Sequence, residues 1–170
     1  HASAMNQYEQ ALSLFRELGD PRMIAVALSN LGDGYRRQGL LAESKQMYAE
    51  SLELTERMGH RRLLANNHNG LAEVAYDEGD LETAARHFAA SQGICREIGA
   101  HSLGNLNLIG LAHLACRHGD ARKARMYIRE AFRSVCEHGG WAAFPVAVTG
   151  FAHVLSLGDR QDKLCAVSLL

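Results

Sequence analysis

The sequence predicts an all-α protein in which antiparallel helical hairpins repeat to form a solenoid. Glycines recur every 40 residues at Gly19, Gly59, Gly99 and Gly139, and a second glycine series lies halfway between them, which implies two helices per unit. Between the glycines, apolar residues recur at the three- and four-residue spacing of amphipathic helices. No alternating strand pattern competes with this spacing, so we expect helices throughout.

The helix boundaries follow from the residues at the turns. Glycine readily adopts the left-handed conformation that closes a helix, and an aspartate that follows it, as in Gly19-Asp20 and Gly79-Asp80, can accept hydrogen bonds from the free amides of the next helix. Pro21 suits a first helical position because no amide donor is needed there. These signals predict about nine helices, near residues 3–18, 22–38, 41–58, 61–78, 81–98, 101–118, 121–138, 142–157 and 160–170.

The 40-residue period also predicts the domain organisation. We expect one solenoid over residues 1–170, with a half repeat at its start and a partial, degenerate repeat at its end. Residues 1–4 precede Met5 and are candidates for a cloning remnant. Because no polar capping helix is evident at either end, the chain is expected to be a fragment of a longer protein or to stack on another copy. The units are 1–19, 20–59, 60–99, 100–139 and 140–170.

Composition narrows the class of partner. Eighteen Lys and Arg face nineteen Asp and Glu, which gives a formal net charge of −1 and lacks the basic excess typical of a nucleic-acid binder. No apolar run approaches the roughly 20 residues that span a bilayer. Cys95, Cys116, Cys136 and Cys165 have neither CxxC spacing nor the density of a disulfide scaffold, and we expect them to be reduced core residues. The sequence therefore predicts a cytoplasmic protein without a nucleic-acid or membrane partner.

Residues of fixed size recur in register between the units. The recurring sets are Leu31, Gly32, Tyr35, Ser44, Tyr48, Ser51; Leu71, Ala72, Ala75, Ala84, Phe88, Ser91; and Leu111, Ala112, Ala115, Ala124, Ile128, Ala131. This pattern resembles the tetratricopeptide repeat, which implies a right-handed solenoid. The unit is longer than the commonest repeat of about 34 residues. It is similar to variants in LuxR-type regulators with a signalling ATPase, peptide-sensing quorum regulators and eukaryotic polarity scaffolds.

The resemblance also implies a binding surface, because the first helix of each pair lines the concave face in this family. Asn side chains can donate to and accept from a peptide backbone, and Arg can bind a carboxylate with two hydrogen bonds, so an extended peptide is the expected ligand. In the alternative interpretation, residues such as Asn66 and Asn69 only solvate an exposed helix face. The predicted groove residues are Ser29, Asp33, Arg36, Arg37, Asn66, Asn69, Glu73, Tyr76, Asp77, Ile109, His113, Cys116, Arg117, Thr149 and His153.

Two other features allow different interpretations. His113 and His153 could meet at a metal with Glu73, but no HExxH motif is present and an open groove weakens catalytic electrostatics, so we predict no catalytic residue, metal or cofactor. A basic stripe on one second helix could dock an acidic partner or a phosphate backbone. The balanced net charge favours a solvated convex face instead. The stripe consists of Arg122, Lys123, Arg125, Arg129 and Arg133.

The leading hypothesis is a non-catalytic protein- or peptide-binding module that serves as the sensor or scaffold part of a larger bacterial signalling or transcriptional regulator. The alternative is an architectural solenoid that assembles with itself, with homodimerisation through terminal helices. A metal-dependent enzyme is the third hypothesis.

Overall fold

The computed structural model describes residues 2–138, and these residues form seven α-helices without any strand. The predicted helices near 142–157 and 160–170 lie outside the described residues, so the expected count of about nine is not matched. The other seven agree with the sequence prediction to within one or two residues. The helices are α1 (Ala2–Leu18), α2 (Pro21–Arg37), α3 (Leu41–Met58), α4 (Arg61–Glu78), α5 (Leu81–Ile98), α6 (His101–Arg117) and α7 (Ala121–His138).

The turns confirm the prediction made from the glycine and aspartate pairs. Gly19 closes α1 with a φ of 66°, which glycine adopts without steric cost. The Oδ1 atom of Asp20 then accepts hydrogen bonds from the backbone amides of Arg22 and Met23, at 3.0 and 3.1 Å. Asp80 and Asp120 accept from the amides three residues later in the same way, at 3.0 and 2.9 Å.

The chain divides into two compact units, His1–Ile94 and Cys95–Leu170, with the boundary inside α5. In the first unit, α1 packs on α2, α2 on α3 and α3 on α4, while α2 also contacts α4. In the second unit, α6 packs on α7. Within each unit, consecutive helices therefore form hairpins.

In the first unit, the ring of Tyr48 on α3 fills a slot that two glycines leave open. Tyr48 is only 2% exposed. A Cβ atom added at Gly70 on α4 would lie 2.3 Å from the ring, and one added at Gly32 on α2 would lie 2.9 Å from it. The phenol also donates a hydrogen bond to Asp33. The absence of side chains at Gly32 and Gly70 therefore permits the three helices to pack closely around Tyr48.

The core of the first unit also contains a set of polar side chains, here called the Asn67 cluster, formed by Ser29, Ser51, Thr55 and Asn67. Asn67 is fully buried, and its Nδ2 atom donates to Ser51 Oγ at 2.8 Å and to Thr55 Oγ1 at 3.3 Å. Its Oδ1 atom accepts from Ser29 Oγ at 2.5 Å. The cluster therefore links α2, α3 and α4 by hydrogen bonds, so the buried amide is satisfied.

The second unit has a core of small side chains between α6 and α7. Ala112, Ala115 and Cys116 of α6 pack on Ala124 and Ile128 of α7. Cys95 is also buried, and it and Cys116 are free thiols.

The prediction that all the cysteines pack in the core is wrong for Cys136. Its thiol is free but exposed, because it lies outside the side of α7 that Ala124, Ile128, Ala131 and Val135 bury. Cys165 lies outside the described residues.

Candidate functional site

The structure brings four of the predicted groove residues together on neighbouring sides of α2 and α4. Asp33 and Arg36 are three residues apart on α2, and Glu73 and Asp77 are four apart on α4, so each pair shares one side of its helix. Arg36 Nη2 lies 2.7 Å from Glu73 Oε2, and Nη1 lies 3.0 Å from Asp77 Oδ2. We call these four residues the α2/α4 face.

Partial burial sets the charges of this face. Burial raises the pKa of the Glu73 carboxyl, and Arg36 only partly opposes this. Burial lowers the pKa of the Arg36 guanidinium, but Glu73 and Asp77 outweigh it, so the pKa is raised and the positive charge is secure. Burial, followed by the hydrogen bond to Asp33, raises the pKa of the Tyr48 phenol and keeps it neutral. The face therefore combines three carboxyl side chains with one guanidinium.

The other predicted residues of the first unit surround this face at different depths. Arg37 and Asn66 are exposed. Asn69 and Tyr76 are half-buried, and both interact with other groups of the protein. The Ser29 hydroxyl belongs to the Asn67 cluster and donates inward. Arg37 and Asn66 are thus open to solvent, as is Asp77 of the face itself.

The predicted residues of the second unit lie on α6. Ile109 and Cys116 are 3% and 8% exposed, and burial raises the pKa of the Cys116 thiol. These two side chains therefore offer little surface to a partner. His113 is half-buried and Arg117 is exposed, and each interacts with another group of the protein. Thr149 and His153 lie outside the described residues, and the binding role of the whole set stays a prediction.

The structure also contains two histidine pairs that the sequence did not indicate. Nδ1 of His68 lies 3.0 Å from Nδ1 of His87, and the rings of His101 and His138 stack with centroids 3.6 Å apart. The partners are 19 and 37 residues apart in sequence, and no motif spacing connects them. Within residues 2–138, no group of three or more His, Cys, Asp or Glu side chains is placed to hold a metal ion.

A depression of about 620 Å³ lies in the first unit, where α1, α2 and α3 meet. Arg16 at its edge is paired with Glu50 at 2.7 Å, and Tyr35 donates to Glu9 at 3.1 Å, so several of its polar groups already have partners. The depression is lined by Glu9, Leu12, Ser13, Arg16, Glu17, Leu31, Tyr35 and Met47. In the described part of the chain, no helix is long and apolar enough to cross a membrane.

Stacked hairpins with a polar face on successive first helices define a helical-repeat protein. The family model described as tetratricopeptide repeat matches residues 23–97, so this part of the chain is similar to tetratricopeptide repeats. Repeats of this family are typical of non-catalytic protein-interaction modules. No curated protein matches the chain by sequence.

Two solved structures share the fold. BtubC (BKLC) from P. vanneervenii is 17% identical, with a TM-score of 0.69 over 93% of this chain and 72% of its own. A Signal Transduction ATPase with Numerous Domains (STAND) protein with a tetratricopeptide repeat sensor, from Pyrococcus horikoshii, is 18% identical, with a TM-score of 0.79 over 94% of this chain. The chain spans 25% of the length of that STAND protein.

Proposed function

We propose that the chain is a non-catalytic module that binds an extended peptide or protein segment along the first helices of its repeats. The ion pairs of Arg36 carry the proposal. One guanidinium joins α2 to Glu73 and Asp77 of α4, so polar groups from two successive first helices have fixed positions before any partner arrives. Such preorganisation reduces the entropy that binding costs.

The chemistry of the face favours a peptide over a small metabolite. Carboxylates of Asp33, Glu73 and Asp77 can accept from backbone amides or from basic side chains of a partner. The exposed amide of Asn66 can donate to and accept from a peptide bond at the same time. Arg37 adds an exposed guanidinium for a carboxylate.

Selection of short random peptides displayed on phage tests this proposal. The selected peptides are then measured by fluorescence anisotropy against the wild-type protein, an N66A/R37Q variant and a Q46A/R57Q control. The control removes one amide and one guanidinium from exposed positions of α3. We expect binding about tenfold weaker for N66A/R37Q and unchanged for the control. Equal affinity for all three proteins would show that the exposed side chains bordering the α2/α4 face do not contribute to binding, and would contradict the proposal.

We further propose that the module is the sensor or scaffold part of a larger cytoplasmic bacterial regulator, of the signalling or transcriptional kind. The fold shared with a STAND protein that has a tetratricopeptide repeat sensor supports this. The complete reading frame provides the test. A frame that encodes no nucleotide-binding, DNA-binding or other signalling domain would contradict this role while leaving peptide binding intact.

Self-assembly is the second candidate, and exposed apolar side chains on α1 favour it. Leu14 and Leu18 are 52% and 69% exposed on the first helix of the chain. Sedimentation velocity across a wide concentration range tests it, with L14Q/L18Q as the disrupting variant and Leu40→Gln as the control. Leu40 is 40% exposed but lies in a turn. A wild-type protein that remains monomeric throughout contradicts this candidate.

A further inference from the structure

One side of α7 carries a continuous row of side chains that we call the α7 stripe. Its members are three or four residues apart, which places them on the same side of a helix. The opposite side of α7 is buried and consists of Ala124, Ile128, Ala131 and Val135. All members of the stripe are exposed except Arg125, which is half-buried. The stripe consists of Arg122, Arg125, Met126, Arg129, Phe132, Arg133 and Cys136.

Three of the four arginines of the stripe have no acidic partner within the described part of the molecule. The stripe itself contains no acidic residue. Glu130 lies beside it and pairs with Arg96 at 2.5 Å instead. Among residues 2–138, the side chains of Arg122, Arg129 and Arg133 form no ion pair. At a rise of about 1.5 Å per residue, these three guanidinium groups extend over about 16 Å of helix.

Apolar side chains alternate with the arginines. Met126 is 52% exposed and Phe132 is 43% exposed. Met126 lies within four residues of three stripe arginines and Phe132 within four residues of two, so an apolar group that covered either would be next to positive charge. A partner that fits must therefore combine carboxylates with apolar side chains on one surface.

The repeat itself does not require these arginines. One repeat earlier, the positions of the four stripe arginines are occupied on α5 by Glu82, Ala85, Ala89 and Gly93. The buried columns, in contrast, recur in both helices, as Ala84 and Phe88 on α5 and as Ala124 and Ile128 on α7. Since α5 forms an equally long helix without them, the arginines are a special feature of α7.

We propose that the α7 stripe docks an acidic amphipathic helix of a partner protein, whose carboxylates pair with the arginines and whose apolar side chains cover Met126 and Phe132. This surface lies on a second helix and is separate from the α2/α4 face, so the inference does not depend on the proposed peptide groove. Three unpaired arginines in a chain of net charge −1 are too few for the 6 to 10 or so phosphate contacts typical of duplex binders. Two apolar side chains are likewise a small area for insertion into a bilayer.

Fluorescence anisotropy tests the inference with three kinds of probe. The first is a labelled helical peptide of Glu, Leu and Ala that places glutamates and leucines on one face, and the second is a scrambled peptide of the same composition. The third comprises duplex DNA and phosphatidylserine vesicles, offered separately. The variant R122Q/R129Q/R133Q is compared with R22Q/R57Q/R62Q, which removes three exposed arginines from the first unit.

We expect the amphipathic peptide to bind the wild-type protein and the control equally, and the stripe variant about tenfold or more weakly. Met126→Ser should weaken binding without changing its dependence on salt, because it removes only apolar contact. The inference is overturned if the peptide does not bind, if the scrambled peptide binds equally well, or if the stripe variant retains full affinity. Tighter binding of DNA or of vesicles than of the peptide also overturns it. Superimposable thermal unfolding curves establish that the variants are folded.

Discussion

Nδ1 of His68 on α4 and Nδ1 of His87 on α5 lie 3.0 Å apart, so one imidazole donates the proton that the other accepts. Such a hydrogen bond requires an unprotonated nitrogen on one of the rings. Burial lowers the pKa of His68, and burial, followed by the proximity of His68, Arg86 and Lys45, lowers that of His87. The pair is therefore held neutral in the folded protein.

This pair predicts that the protein loses stability as the pH falls below the ordinary histidine pKa of about 6.5. In that range the unfolded chain binds more protons than the folded one, so the free energy of unfolding decreases with acidification until the pH passes the lowered pKa values. Urea unfolding at a series of pH values between neutral and mildly acid measures this change in the free energy of unfolding. The variant His87→Asn should flatten the profile, whereas His118→Asn, at an exposed position, should leave it unchanged. A wild-type profile that is flat in this range contradicts the prediction.

The carboxylates of Asp80 and Asp120, which cap α5 and α7, affect the stability of the protein at a lower pH than the histidine pair does. Hydrogen bonds from the amides at the start of each helix lower the pKa of Asp80 and of Asp120. A carboxyl whose pKa is lowered on folding contributes stability that is present above its unfolded pKa and is lost as the pH falls through the lowered value. Asp80→Ala and Asp120→Ala should each lower the midpoint of urea unfolding at neutral pH, and lower it less below pH 3 or so. An unchanged midpoint of urea unfolding at neutral pH would show that the caps contribute nothing.

Gly70 should not tolerate even a methyl group. Gly70→Ala gains about 1 kcal/mol in helix propensity. The added Cβ would nevertheless lie 2.3 Å from the Tyr48 ring, and we expect a net loss of about 2 kcal/mol from overpacking. Gly93→Ala is the matched control because no atom lies within 4 Å of its added Cβ, and it should stabilise the protein. Chemical denaturation compares the two. Equal stabilisation by both substitutions would contradict the claim that the Tyr48 ring leaves no room for a methyl group at Gly70.

Asn67 should be costly to replace, although it is a polar residue. Asn67→Ala leaves the hydroxyls of Ser29, Ser51 and Thr55 without their shared partner and opens a cavity, so we expect a loss of about 2 to 3 kcal/mol. The adjacent variant Asn66→Ala alters an exposed side chain and should change stability by less than about 0.5 kcal/mol. Urea unfolding of the two variants measures the difference. Similar values for both would contradict a stabilising role for the Asn67 cluster.

The ion pairs of Arg36 predict a stability loss that depends on pH. Arg36→Gln removes the cation beside Glu73, whose pKa burial has already raised, so the folded pKa of this carboxyl rises further. A raised carboxyl pKa destabilises the folded state above the unfolded value near 4.5. We expect a loss of about 1 kcal/mol at neutral pH, after allowance for solvent screening, and a smaller loss at pH 4 or so.

Arg16→Gln is the control for this prediction. It breaks the ion pair between Arg16 and Glu50. Their side chains are 52% and 40% exposed, more than those of Arg36 and Glu73. We expect its effect to be close to zero at both pH values. A loss in Arg36→Gln that is the same at both pH values would mean that Glu73 is not the group responsible.

The sequence predicted those parts of the fold that depend on local chemistry. Gly19 ends α1 and Asp20 caps the start of α2, and both roles depend only on residues close by in sequence. The structure confirms both roles. Gly70 and Tyr48 belong to columns that recur with the period, so their packing could also be anticipated. The α2/α4 face was predicted as a set of residues because position in the repeat places side chains on one side of a helix.

Interactions between helices were not predictable in the same way. Asn66 and Asn67 are adjacent and chemically identical, yet one is exposed and the other is fully buried. The difference depends on which side of α4 faces the hydroxyls of α3, and a single sequence does not reveal that pairing. His68 and His87 were missed for the same reason, since only the packing of α4 on α5 brings their rings together.

The Asn67 cluster has a consequence for anyone who recombines these repeats in engineered arrays. Ser29, Ser51 and Thr55 precede the glycine turn at residue 59, and Asn67 follows it. A chimera joined at that turn would therefore take the Asn67 amide from one parent repeat and the three hydroxyls from another. The block that keeps its own buried hydrogen bonds is the three-helix segment from α2 to α4. Chimeras joined outside that segment should retain cooperative unfolding, whereas junctions at the intervening turn need matched serine and threonine hydroxyls in the upstream module to pair with the asparagine amide.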